Sequence, residues 1–244
     1  MLQPVGDDLS DDDLETAYEY PVERTWVRLS FVATVDGATA DAAGHPSGIS
    51  SAADQRVFAL LRGLCDVIVV GAGTARAEQY APVRPTEVDQ RMRARLGLAP
   101  LPTIAVVSNR LDVPTSLLPP PGDHARTLVV TSASSPADRR EQLAERADVL
   151  VCGDETVDLR VLREELGARG LRRVLAEGGP RLTADLSDAG VLDEVCLTLS
   201  PMLVAGSSLR LSVGPPLVAP CALRLAHALA ADDQLLLRYV REGR

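Results

Sequence analysis

The chain has 244 residues, 46% of them hydrophobic and 24% charged, a composition that belongs to a folded globular protein and excludes disorder for its bulk. A chain of this size buries about 70% of its surface, so no disulfide or metal staple is required. With 25 basic and 34 acidic residues the net charge is −9, which argues against a nucleic-acid partner or an anionic membrane surface.

That acidity is local. Asp7, Asp8, Asp11, Asp12, Asp13, Glu15 and Glu19 stand in residues 1–20 without a basic partner. This stretch reads as an acidic N-terminal extension ahead of one domain over 21–244, with Asp11-Asp12-Asp13-Leu14-Glu15 able to start a short surface helix. Every basic residue is Arg. The absence of Lys excludes Schiff-base and pyridoxal-phosphate chemistry and any Walker-type phosphate loop. Cys65, Cys152, Cys196 and Cys221 are widely spaced with no C-x-x-C and no His beside them. They read as buried apolar residues of a cytoplasmic protein, with no metal site. No apolar run reaches membrane-spanning length, and the acidic start is unlike a secretory signal.

From Trp26 an apolar strand runs to a stop at Asp36-Gly37, a turn signal. Ser50-Ser51 offers N-cap chemistry to a helix whose Val57, Leu60, Leu61 and Leu64 share one face. Val67 to Val70 is a β-branched run suited to a buried parallel strand, and Gly71-Ala72-Gly73-Thr74 turns it into a helix start. Strands are predicted at Thr103–Val107, Thr127–Val130, Val149–Val151, Arg173–Ala176 and Glu194–Leu199. Helices are predicted at Pro136–Ala147, Asp158–Ala168 and Pro180–Ser187, and a single last strand at Gln234–Val240. Residues 81–102 and 111–123 read as Pro-rich loops. Alternating strands and helices over the whole length predict one α/β domain with a mostly parallel central sheet flanked by helices.

Two glycine turns follow buried strands, Gly71-Ala72-Gly73-Thr74 and Glu177-Gly178-Gly179-Pro180-Arg181-Leu182. Each brings backbone N–H groups and a helix start close to an anion, and two in one sheet suit a dinucleotide. Each taken singly is also an ordinary tight turn. A conventional Rossmann fingerprint fails, because Arg76 stands at the third glycine position and no acidic strand end follows. The next strand ends instead in Ser108-Asn109-Arg110, which suits a ribose 2′-phosphate and favours NADPH; it reads equally as a solvated loop. Asp36 closes a strand beside Gly37, either as a site carboxylate or as a structural turn. Arg84 is a cation for a substrate anion or an exposed side chain. No G-x-S-x-G, no deaminase zinc signature and no paired carboxylates are visible, so hydrolase and deaminase chemistry lack machinery.

Taken in order, five blocks resemble the reductase domain of the riboflavin-biosynthesis deaminase/reductase family. They are Ser30-Phe31-Val32-Ala33-Thr34-Val35-Asp36-Gly37, Ile49 to Asp54, Asp66 to Tyr80, Glu177 to Leu182, and Leu192 to Pro201. The resemblance implies a dihydrofolate-reductase-like fold, NADPH as hydride donor, a homodimer and a phosphoribosylamino-pyrimidine substrate. It implies cofactor contacts from Ala33, Thr34, Gly71, Gly73, Thr74, Ser108, Asn109, Arg110, Gly178, Gly179, Arg181 and Leu182. Asp36 and Glu177 would act in catalysis and, with Ser50 and Arg84, bind the substrate. The chain departs from the family at three substrate-facing places. Ser30 stands where Lys is common, Ile49 where an aromatic is common, and Gln79-Tyr80-Ala81-Pro82 where Asp-Pro is common. These changes leave two other readings open: a dihydrofolate or pterin reductase on the same fold, and a non-catalytic NADPH-binding protein.

Overall fold

The computed structural model describes residues 9–21, 23–120, 122 and 124–242. Residues 1–8 of the predicted acidic extension, with Asp7 and Asp8, lie outside the described residues. The strands are β1 (Trp26–Thr34), β2 (Val67–Gly71), β3 (Thr103–Val107), β4 (Leu128–Thr131), β5 (Asp148–Val151), β6 (Arg173–Ala176), β7 (Glu194–Ser200), β8 (Leu223–Ala231) and β9 (Gln234–Arg241). The helices are α1 (Asp11–Ala17), α2 (Ala52–Leu64), α3 (Ala72–Ala77), α4 (Gln90–Arg95), α5 (Ala137–Ala144), α6 (Leu159–Ala168) and α7 (Pro180–Asp188). Among the described residues all nine strands join one sheet in the order β5-β4-β3-β2-β6-β1-β7-β9-β8. Pairing is parallel from β5 to β7 and antiparallel for the last two strands. This is the predicted mostly parallel α/β sheet.

The period-2 alternation of β2 places the sheet between two cores. Val67 and Val69 meet Leu162, Leu166, Leu182 and Leu186 of α6 and α7. Ile68 and Val70 meet Val57, Leu61 and Leu64 of α2 on the other face. Helix α2 starts where Ser51 Oγ accepts the Asp54 N–H. Its C-terminal carbonyls are closed by the buried Arg93, whose guanidinium donates to Gly63 O and Cys65 O, each at 2.8 Å. Arg93 belongs to α4, a helix capped by Asp89 inside the segment predicted as a loop. Six residues are too few for periodicity to show.

The predicted short helix at Asp11 is present, and residues 9–20 are packed against the domain. Leu14, Tyr18 and Tyr20 are buried in the α2-side core. Arg28 and Arg238 donate to Glu19 O and Ala17 O at 3.3 and 2.9 Å. The tail holds two strands where one was predicted. β8 and β9 are joined by Asp232-Asp233, both with positive φ, a two-residue hairpin turn whose usual sequence sign is Asn-Gly or Asp-Gly. Cys65, Cys152 and Cys196 are free and buried, while Cys221 is half-buried. Among the described residues no helix is long and apolar enough to cross a membrane.

Candidate active site

The sheet order brings the carboxyl ends of β3, β2 and β6 side by side. The two glycine turns meet there: the Gly71 N–H donates to Gly178 O at 2.8 Å. Gly178 is required by its backbone, and Gly179 leaves room for Thr74. Gly178 has φ +85°, and a Cβ there would lie 2.7 Å from the Phe31 ring; a Cβ on Gly179 would collide with the Thr74 hydroxyl. Pro180 opens α7 without wasting a donor, leaving the first-turn N–H groups of Arg181 and Leu182 unused by the helix itself.

A groove of about 650 Å³ lies over these turns. It is lined by Gly71, Gly73, Thr74, Ser108, Asn109, Arg110, Gly179, Arg181 and Leu182, which is most of the predicted cofactor set. Gly178 is buried behind it, and Ala33 and Thr34 are buried at the end of β1 without lining it. Ser108 Oγ accepts the Asp112 N–H at 3.1 Å and Asn109 Oδ1 accepts the Val157 N–H at 3.0 Å, so both shape the loop. Arg76 is paired with Asp112 at 2.9 Å. Arg110 and Arg181 are exposed and form no ion pair with another described residue. The groove thus combines a close-approach backbone, a helix start and two uncommitted cations, the elements of a phosphate site.

Next to it is a cavity of about 200 Å³ lined by Ser30 and Phe31 of β1, Ser50, Asp54 and Phe58 at α2, Glu78 and Tyr80 after α3, and Glu177. Glu177 is held by three donors. Arg62 clasps both oxygens, Nε to Oε1 and Nη2 to Oε2, each at 2.7 Å, and the Tyr80 hydroxyl donates to Oε2 at 2.6 Å. The Arg62 and Glu177 side chains are only 16% and 2% exposed, so this pair sits largely out of water. The guanidinium also lies over the Phe58 ring, 4.5 Å from its centroid. Burial works against the Arg62 charge, but the Glu177 carboxylate outweighs it and raises the pKa. Burial, then Glu177, lifts the Tyr80 pKa well above the ordinary phenol value, keeping it a donor. The Glu78 carboxyl is raised by desolvation at the cavity wall and next by Glu177.

Of the predicted substrate residues, Glu177 and Ser50 line this cavity. Asp36 does not: its side chain accepts from the Thr34 hydroxyl and from the N–H groups of Val204 and Ala205. Arg84 lies outside as well, 75% exposed and 3.4 Å from Glu87. Arg62, Phe58, Asp54 and Glu78 carry no expected site role in the sequence, whereas Tyr80 stands in a segment expected to face the substrate. A signal did exist, since Asp54, Phe58 and Arg62 recur at four-residue spacing along one stripe of α2.

The model of the RibD C-terminal domain family matches residues 25–237. The chain belongs to that family. It is 32% identical over 224 residues to the 2,5-diamino-6-ribosylamino-4(3H)-pyrimidinone 5′-phosphate reductase of Methanothermobacter thermautotrophicus, covering 90% of this chain and 100% of the relative. The enzyme of the same name from Archaeoglobus fulgidus is 33% identical over 186 residues, covering 75% of this chain and 83% of the relative. A crystal structure of a pyrimidine reductase-like protein from Corynebacterium diphtheriae shares the fold, with a TM-score of 0.80 at 24% identity over 95% of this chain and 99% of that one. The family, the fold class and the reductase class expected from the sequence are borne out.

Proposed function

We propose that this protein is an NADPH-dependent reductase of a phosphoribosylamino-pyrimidine, with the dinucleotide in the groove and the pyrimidine in the cavity. One observation carries this reading. Glu177 lines the cavity and Gly179, two residues on, lines the groove, so the two compartments meet at the end of β6. The glycine-lined wall at Gly71, Gly73 and Gly179, bare of side chains, fits the close approach of a dinucleotide backbone. Gly71, Gly73, Gly179 and the α7 start would hold its pyrophosphate, and Arg110 the ribose 2′-phosphate. When bound, the nicotinamide supplies a hydride to the acceptor carbon of the opened ribosyl group, giving the ribitylamino product.

The chain's own residues bind, orient and move one proton. Glu177, fixed by Arg62 and Tyr80, accepts hydrogen bonds from the pyrimidine edge, and Ser50 adds a hydroxyl. Glu78, on the cavity wall and open to solvent, passes the proton. Arg84, outside the cavity and paired with Glu87 only at the surface, is the proposed partner of the substrate phosphate.

Fluorescence titration tests the cofactor assignment. NADPH should bind more tightly than NADH, and Arg110→Ala should weaken NADPH roughly tenfold, about 1.4 kcal/mol, while leaving NADH unchanged. Equal affinity for the two dinucleotides in the wild type removes the 2′-phosphate argument. A homodimer is proposed on the edge strand β8, where Leu223 and Leu225 stay exposed. A monomer in sedimentation at micromolar concentration would refute it.

A further inference from the structure

We propose that Asp36 is a cofactor-retention residue: it pins a strap, residues 201–213, that forms one wall of the groove. The proposal rests on the groove's being the dinucleotide site. Beyond β7 the chain enters a long stretch without helix or strand before β8 begins. Met202, Leu203 and Leu209 are exposed there, so the segment has little burial of its own to hold it in place. Its position depends on anchors at either side of the groove.

On the β1 side the Asp36 carboxylate accepts two consecutive backbone donors, the N–H of Val204 at 3.0 Å and of Ala205 at 2.7 Å. The Thr34 hydroxyl orients its other oxygen. These same donors lower the Asp36 pKa, Thr34 first and then the Ala205 N–H, so the carboxylate stays charged for its task. Ala205 has φ +57°, a left-handed conformation costly to an L side chain, and the charge-assisted bond to its N–H is what offsets that cost. A second anchor follows at Thr39, whose N–H and hydroxyl both donate to Leu209 O, at 3.2 and 3.0 Å. On the far side the Val213 N–H donates to Pro180 O at 3.0 Å, at the start of α7. Leu209 and Val213 line the groove facing the same space as Gly179 and Arg181. A carboxylate that the sequence places at the substrate is therefore committed to a backbone that borders the cofactor, and a bound dinucleotide leaves faster when the strap is released.

Stopped-flow release of NADPH from the full chain tests this, alongside steady-state kinetics and amide exchange over 203–210. Asp36→Ala should raise the NADPH dissociation rate and Kd by about tenfold, since a released strap opens more often, and should speed exchange in the strap. The loss should fall on cofactor affinity rather than on kcat. Thr39→Val, which removes only the hydroxyl at the second anchor, should shift the same quantities in the same direction by less, and it decides the matter alone if Asp36→Ala does not fold. An unchanged dissociation rate in a folded variant overturns the strap, as does a fall in kcat at unchanged NADPH affinity, which would return Asp36 to the substrate. A wild-type chain that binds no NADPH overturns the groove assignment and the strap together; wild-type binding with an unaltered variant rate overturns the strap only.

Discussion

Replacing Glu194 by Gln should destabilise the fold by about 3 kcal/mol, near the low end of the cost of breaking a buried ion pair. Glu194 is fully buried and accepts from Arg28 Nε at 2.7 Å, Arg238 Nε at 2.8 Å and the Trp26 indole at 2.7 Å. Without its charge two guanidinium groups lose their counter-ion. Arg238 is 17% exposed and gains some hydration, whereas Arg28 is at 0% and its Nη1 already has no hydrogen-bond partner among the described residues. Gln keeps one acceptor, which is why the lower figure is expected. For a chain of this length about 3 kcal/mol corresponds to a Tm lower by roughly 6–12 °C. Trp26, the one tryptophan of the chain, is bonded to Glu194 itself, so its fluorescence follows both the melt and the local change. Acid adds a second check. Burial pushes the Glu194 pKa up, and Arg28 and Arg238 outweigh it to bring it to about 2 from an ordinary 4.5. Its stabilisation is present above about pH 4.5 and fades as pH falls toward 2, so the gap between wild type and Glu194→Gln should narrow over that interval. A Tm within 2 °C of wild type, or a gap that stays constant down to pH 2, refutes the reasoning.

Glu177→Gln should lower kcat/KM at least tenfold while NADPH affinity stays within about twofold, since the carboxylate faces the cavity rather than the groove. Equal losses in both would place Glu177 at the cofactor instead. Tyr80→Phe removes one of the three donors on Glu177 and should cost roughly three- to tenfold in kcat/KM; no change would show that Arg62 alone fixes the carboxylate.

Much of the fold was legible in the sequence because its signals are local. Val67 to Val70 and Val174 to Ala176 are short apolar runs followed at once or after one residue by glycine, and such runs become buried strands with tight turns whatever their neighbours. Ser51 caps α2 and the Val57, Leu61 and Leu64 stripe is one apolar face, both readable within a few residues. Most residues expected at a cofactor line one groove for the same reason: Gly71, Gly73, Thr74, Gly179 and Ser108-Asn109-Arg110 lie at or just beyond strand ends. Helix α4 and strand β8 were not legible, since one is very short and the other is held by pairing across an Asp-Asp turn.

What only the tertiary structure decided is which side chains meet. Arg62 and Glu177 stand 115 residues apart, and no spacing rule joins them; the parallel placement of β2 beside β6 and the packing of α2 over them do. Arg28 and Glu194 become one buried pair because β1 and β7 are aligned in register. Asp36 read as a site carboxylate because a D-G turn at a strand end looks the same whether it faces a ligand or a loop. The difference lies in residues 204 and 205, whose N–H groups reach it only after the chain has returned along β7. Periodicity and turn chemistry act within a few residues and therefore show in sequence, whereas strand order is set by the packing of distant segments and does not.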